Sequence, residues 1–409
     1  MSRQVLTTLL VGMFATWIAA LETRLEACPF CSAVSQTFTE EIASMDAVLI
    51  ATLVELPAPS KAKEQDRFGE DVAKAKFKIV EVIKGSEYVD SKQLVEAIYF
   101  GTSKKGQAFL IMGVDPPNLM WSTPLSLTER ARKYLGQLGS IPPEGAGRLK
   151  FFQDYLEDPD ELLARDSYDE FAKAPYDAVK KLKPHMQHGR LIEWINDPDI
   201  PASRRRLYLT LLGVCGTKND LPLLEEMLQS EDRRRKAGLD AMIACYLTLK
   251  GPTGMNLIED LFLKNKKSEY ADTYAAIMAL RFHGSEAEII PKKRLLEGLR
   301  YMLERPQLAD LVIPDLARWE DWSQMDRLVT LFKDADEKSS WVRVPVINFL
   351  RACPRPEAKG FIEELEKIDP AAVKRARTFF PLTPATSDPE DPKTSAIPGQ
   401  IESLVAVVA

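Results

Sequence analysis

From about residue 148 onward, apolar positions recur at helical spacing, and seven phrases begin alike. They are Phe151-Phe152-Gln153, Leu191-Ile192-Glu193, Leu223-Leu224-Glu225, Leu257-Ile258-Glu259, Leu295-Leu296-Glu297, Leu328-Val329-Thr330 and Phe361-Ile362-Glu363. The intervals between them are 40, 32, 34, 38, 33 and 33 residues. Each interval reads as helix, turn, helix. Leu191, Ile192, Trp194 and Ile195 form one apolar stripe, and Asp197-Pro198-Asp199 ends that helix in a turn. Leu207 to Val214 give the next helix, with Gly216 as its C-terminal cap. Gly251 and Gly284 fall in equivalent places further on, and Asp158-Pro159-Asp160 repeats the turn in the first unit. A helix pair of this size cannot bury its stripe alone, so the pattern predicts pairs stacked into an α-solenoid over 148–382.

Ahead of residue 140 the period changes. Phe38 to Ala43 reads as a short helix, and Ala47 to Val54 is a β-rich run bounded by Asp46 and Pro57. Lys76 to Val82 alternates polar and apolar, which turns Phe77, Ile79 and Val82 toward a core. Leu94–Phe100 and Ala108–Val114 give two more strands, Asn118–Leu127 a fifth, and Thr128–Leu138 a helix. Five short strands with few helices predict a small β-barrel over 28–140. Pro142-Pro143 mark 141–147 as a linker. Residues 383–409, rich in Pro, Ser, Thr and acids before an apolar end, read as a disordered tail. The expected fold class is multidomain β + α.

Both parts carry a resemblance. The start Cys28-Pro29-Phe30-Cys31, the run Met45-Asp46-Ala47-Val48-Leu49-Ile50-Ala51-Thr52-Leu53-Val54-Glu55 and the strand Phe77 to Lys84-Gly85 resemble the netrin-type module. This is the OB-like barrel of the tissue inhibitors of metalloproteinases. The resemblance implies a barrel over about 100 residues, and inhibition of a metalloprotease through a free N-terminal Cys28 amine. The cysteines depart from that family. Here they are two residues apart rather than one, and no other cysteine precedes Cys215. The array resembles HEAT-like repeats, with Asp-Pro turns and small residues inside the second helix. That likeness implies protein–protein interaction along one face and no chemistry.

The first residues read as an export signal. Arg3 precedes a 16-residue, uncharged and mostly apolar stretch, Val5–Ala20, with cleavage points after Ala20 and after Ala27. Sixteen residues are short for a membrane span, which takes about 20. The signal is therefore assigned to 1–27, and the mature chain is expected outside the cytoplasm: periplasmic, at the cell surface or secreted. The net charge of −6 argues against a nucleic-acid partner. The basic runs Arg204-Arg205-Arg206 and Arg233-Arg234-Arg235-Lys236, each at the expected start of a second helix, read as solvated faces.

Candidate chemistry is sparse. Cys28 and Cys31 are the disulfide candidates, taken as a local staple at the start of the first domain. A redox site would need the pair at a helix start after a strand, haem attachment a His where Ser32 stands, and zinc two further ligands. Leu25 and Ala27 suit lipidation of Cys28, but charges at Glu22, Arg24 and Glu26 separate that cysteine from the apolar run. Cys215 and Cys245 fall in apolar helices as small hydrophobes. His185 and His188 lack the further ligands of a metalloprotease motif, and His283 reads as a helix C-terminal cation. No catalytic residue, metal site or cofactor is assigned. Trp319 and Trp322 are the partner-binding candidates. The expectation is an exported, non-catalytic scaffold for a protein partner, with no transmembrane segment after signal removal. The rivals are a metalloprotease inhibitor acting through Cys28 and a thiol–disulfide protein using Cys28 and Cys31.

Overall fold

The computed structural model describes residues 30–31, 35–57, 74–90 and 94–379. The expected signal segment, Cys28 and the expected tail lie outside them. The chain divides into two compact units, Met1–Met302 and Leu303–Ala409, so the division falls within the helical region. The fold is mixed β + α: a nearly closed antiparallel sheet comes first and helices follow.

In the first unit, helix α1 (Phe38–Ser44) begins with a capping box. Thr37 accepts from the Glu40 amide, and Glu40 accepts from the Thr37 amide. The sheet follows: β1 (Ala47–Glu55), β2 (Lys74–Lys84), β3 (Leu94–Ile98), β4 (Ala108–Val114), β5 (Met120–Trp121) and β6 (Leu125–Ser126). Its order is β3-β2-β1-β4-β5, all antiparallel, with β6 also on β4, and β3 comes back near β5. Inside lie Leu49, Ala51, Leu53, Phe77, Ile79, Val95, Phe109 and Ile111. Phe77, Tyr99 and Phe109 meet edge to face, with centroids 5.4–6.0 Å apart.

Strict alternation along β2 would place Val82 opposite Phe77 and Ile79. The register against β1 instead jumps, from Ala51↔Ile79 to Ile50↔Glu81. This bulge leaves Val80 exposed and returns Val82 to the core side. At the end of β2, the Lys84 ammonium donates to the carbonyls of Ile42 (3.1 Å) and Ala43 (2.7 Å) in the last turn of α1. Gly85 sits at φ +78°, where a Cβ would stand 2.4 Å from the Asp46 carbonyl oxygen. Sheet and helix α1 are thus fastened at one corner.

The helices of this unit continue as α2 (Glu129–Leu138), α3 (Ala146–Gln153), α4 (Glu161–Lys173), α5 (Tyr176–Lys181) and α6 (His188–Asn196). Then come α7 (Ala202–Cys215), α8 (Leu221–Gln229), α9 (Leu239–Lys250), α10 (Met255–Ile258), α11 (Tyr270–Phe282) and α12 (Lys292–Arg300). The second unit holds α13 (Ile313–Arg318), α14 (Met325–Asp334), α15 (Arg343–Ala352), α16 (Glu357–Ile368) and α17 (Pro370–Phe379). The seven repeat phrases fall in α3, α6, α8, α10, α12, α14 and α16, with Glu259 of the fourth just beyond the end of α10. The Asp-Pro turns close as the sequence suggests: the Asp197 carboxylate accepts from the Asp199 amide (2.9 Å), and Asp158 from that of Asp160 (3.0 Å).

Alternate helices pack side by side. In the first unit α9 lies between α7 and α11; in the second, α15 lies between α13 and α17. Helix α7 is buried almost all round from Leu207 to Gly213, as a helix with neighbours on both sides must be. Polar bonds in the first unit recur at the spacing of the phrases. His188 meets Asp220 at 3.0 Å, 32 residues on; Arg206 meets Asp240 at 2.8 Å, 34 on; Arg233 meets Asp272 at 2.8 Å, 39 on.

These bonds correct the reading of the basic runs as solvated faces. Arg204 pairs with Glu157 (3.0 Å) and Glu161 (2.8 Å). Arg205 is 1 % exposed and donates to the carbonyls of Asp197 (2.5 Å) and Arg234. Arg233, though paired with Asp272, and Arg234 keep exposed side chains. The runs are consumed in fastening one helix pair to the next.

Candidate functional site

Small residues on adjacent helices leave a socket, and the chain fills it with its own Phe30. Gly213 on α7 and Ala241 and Ala244 on α9 provide the room. Leu209, Thr210, Cys245, Thr248, Tyr176 on α5 and Phe282 on α11 complete the wall. Phe30 is 9 % exposed, its ring 5.1 Å from that of Phe282, which in turn meets Tyr176 at 5.2 Å. Only about 10 Å³ of free space remains beside it. Burial of an aromatic ring of this size stabilises by about 1.5–3 kcal/mol.

The residues after Phe30 are tied to α4 by buried acids. The Ser35 hydroxyl donates to Asp169 (2.9 Å), and the Phe38 amide donates to Asp166 (2.7 Å). Tyr134 on α2 donates to the other Asp166 oxygen at 2.5 Å. Arg148 on α3 holds Glu170 through two bonds (2.6 and 2.8 Å) and donates to the Thr39 hydroxyl at 2.9 Å. Lys173 pairs with Glu40. Burial raises the Asp166 carboxyl to about 6, partly offset by the Tyr134 and Phe38 donors, and it raises the Tyr134 hydroxyl as well.

Beside the socket, and sharing Tyr176, Gly213 and Thr248 with it, opens a larger cavity of about 550 Å³. Lys180 and Lys183 come from the segment following Tyr176, and Gly216, Thr217 and Lys218 from the turn after α7. Val214, Leu249 and Ile289 supply apolar wall. Gly216 is dictated by packing, because a Cβ there would stand 2.5 Å from the Leu212 carbonyl oxygen and 3.2 Å from Asp220. Lys180 pairs with the exposed Asp177 (2.5 Å) and lies over the Tyr176 ring. Lys183 and Lys218 make no ion pair among the described residues.

The residues singled out from the sequence are not gathered in one place. Cys31 is half-buried and disulfide-bonded, while Cys28 lies outside the described residues. Cys215, Cys245 and Cys353 are free thiols. Burial raises Cys215 to about 11 and pushes the fully enclosed Cys245 well above the usual thiol range, so both are poor nucleophiles. Trp319 and Trp322 are half-buried in the second unit, with Trp322 edge-on to Phe349 at 5.1 Å. Trp341 is the more exposed indole, at 47 %, and hydropathy gave no reason to prefer it. His283 does follow α11, but it is not a cation: burial depresses it to about 4, and its Nε2 lies 3.1 Å from the Ala244 carbonyl oxygen. Among the described residues no group of His, Cys, Asp and Glu is arranged to hold a metal, and no helix is long and apolar enough to cross a membrane.

The sequence signal for Phe30 was present but masked by its neighbours, since a Cys-x-x-Cys pair draws attention to sulfur. The lysine cavity also had a signal. Lys183 and Lys218 are 35 residues apart, within the range of the phrase spacing, and both line the cavity. No protein-family model matches the chain, and no curated protein matches it.

Proposed function

We propose that the chain is an exported, non-catalytic scaffold, with an OB-like barrel of netrin type joined to a HEAT-like solenoid that receives a protein partner. The observation that carries this reading is the seating of Phe30. The chain's own segment inserts an aromatic anchor between α7, α9 and α11, which is how an extended partner segment would engage the same helices. The recurrence of inter-helix bonds at repeat spacing supports the solenoid. The inhibitor reading asks the first residues of the mature chain to be presented to a protease, and a buried Phe30 disfavours that. The redox reading gains nothing from Cys215 and Cys245, whose thiols are held protonated.

The test is crosslinking of the tagged mature protein in its native cell envelope, with mass-spectrometric mapping of the sites. Crosslinks from one discrete partner to residues 176–283 are expected. Crosslinks confined to the sheet, residues 47–126, would overturn the reading.

A further inference from the structure

We propose that the cavity between Tyr176, Lys183, Lys218 and Leu249 is a binding site for a small phosphorylated molecule. The inference does not rest on the scaffold reading, since it concerns a ligand and not a protein partner. A volume of about 550 Å³ suits a small molecule. Three ammonium groups line it in a chain whose net charge is −6, so the cavity departs in sign from the molecule around it. Two of them, Lys183 and Lys218, have no carboxylate partner among the described residues, although most cations of the neighbouring helices are paired. All three are solvent-exposed, so their mutual repulsion is screened, and the gain comes from an anion that meets several of them at once in the cavity.

Three carboxylates lie near, against three ammonium groups; Glu286 adjoins the lining residue Ala287 and acts on the Tyr176 hydroxyl, and the other two are already engaged. Asp220 accepts from the Thr217 amide (2.7 Å) and meets His188 (3.0 Å), and its carboxylate is largely buried. Asp177 answers Lys180 only, on an open surface. The choice of phosphate over carboxylate follows from charge count and donor type. A phosphate monoester carries about −1.5 to −2 charges at pH 7 and so can engage several ammonium groups at once. Lysines bind phosphate as point charges, whereas paired carboxylate recognition favours arginine. Tyr176, Val214, Leu249 and Ile289 leave an apolar wall for an organic body. The Thr217 and Thr248 hydroxyls are engaged with Asp220 and with the Ala244 carbonyl, so the lysines carry the recognition.

The experiment is calorimetric titration of the full mature chain with phenyl phosphate, benzoate and inorganic phosphate. The same titrations are run on the Lys183→Gln/Lys218→Gln variant and on Lys76→Gln, a barrel lysine paired with Glu55, as control. Phenyl phosphate should bind at one site, more tightly than inorganic phosphate and at least ~5-fold more tightly than benzoate. The double variant should lose at least ~10-fold in affinity, or about 1.4 kcal/mol, with an unchanged circular dichroism spectrum, and Lys76→Gln should change nothing. Equal affinity in the double variant, benzoate matching phenyl phosphate, or no binding of phenyl phosphate up to ~10 mM would each overturn the proposal.

Discussion

Phe30→Ala isolates the contact that joins the start of the chain to the helices. A fully buried phenylalanine truncated to alanine costs about 3–5 kcal/mol when its site cannot collapse. The Phe30 socket is framed by three packed helices and is already full, with about 10 Å³ to spare, so collapse is hindered. The ring retains 9 % exposure and belongs to a short segment, so the loss acts on docking of that segment rather than on global unfolding. We take about 2–3 kcal/mol, from the transfer of one aromatic side chain. That raises the undocked population roughly 30- to 150-fold. Cys245 is the reporter, because it is 2 % exposed and shares the socket wall with Phe30. Alkylation by iodoacetamide, followed by peptide mapping, should speed up by that factor at Cys245 in Phe30→Ala and by much less in Phe30→Leu. Cys353, buried in the second unit, should not change. An unchanged Cys245 rate would refute the socket. A parallel rise at Cys353 would show global destabilisation instead.

Three further outcomes follow from the first unit. Gly85→Ala forces a side chain into φ +78° against the Asp46 carbonyl, and should cost about 1–3 kcal/mol, read as a lower Tm. Arg205→Met strips donors from two carbonyls and should cost about 2–4 kcal/mol in urea denaturation, whereas Arg234→Met, on an open side chain, should stay within ~0.5 kcal/mol. Asp166 is raised from 3.8 to about 6, so the folded state binds the extra proton: its contribution is fully present below pH 3.8 and is lost as pH rises through 6. Stability of the wild type minus that of Asp166→Asn should therefore increase by about 2 kcal/mol as pH falls from 7 to 4, and a flat difference would remove the buried-acid account. His283, depressed to about 4, acts oppositely over the same window and partly hides the Asp166 effect in the wild type, which is why the difference is the quantity to measure.

How far the sequence reached depends on the kind of regularity. Period-2 alternation located β2, a β-rich run bounded by Asp46 and Pro57 located β1, and the helical period located the helices that carry the seven phrases. The sequence turned Val82 to the core side with Phe77 and Ile79, but it did not show the bulge at Val80 that makes this possible, because a bulge changes phase without changing composition. Composition also misled at Arg205: three arginines in a row read as surface, yet the middle one is buried and spans the backbone carbonyls of Asp197 and Arg234. The repeat spacing held more than was taken from it. Residues about one phrase interval apart meet in His188 and Asp220 and in Arg206 and Asp240, and Lys183 and Lys218, at the same interval, line one cavity. Phe30 has no such signal, since its partners lie about 146 to 252 residues away and no periodicity connects them.

The socket and the lysine cavity are adjacent but carry different energetic consequences. They share Tyr176, Gly213 and Thr248, so an occupant of the cavity touches residues that already hold Phe30. A small anion that fills only the cavity leaves the aromatic anchor in place, and its affinity carries no penalty for docking of the N-terminal segment. A protein partner that needs the socket itself must first displace Phe30, so its apparent Kd exceeds the intrinsic one by the reciprocal of the fraction of chains in which the socket is open. With a docking energy of about 2–3 kcal/mol that factor is roughly 30- to 150-fold. Phe30→Ala should then tighten such a partner by up to that factor and leave phenyl phosphate nearly unchanged. A partner that binds another face would show no gain. One substitution therefore separates a scaffold that works through this groove from one that uses the other surfaces of its helices, and it does so without disturbing the proposed anion site.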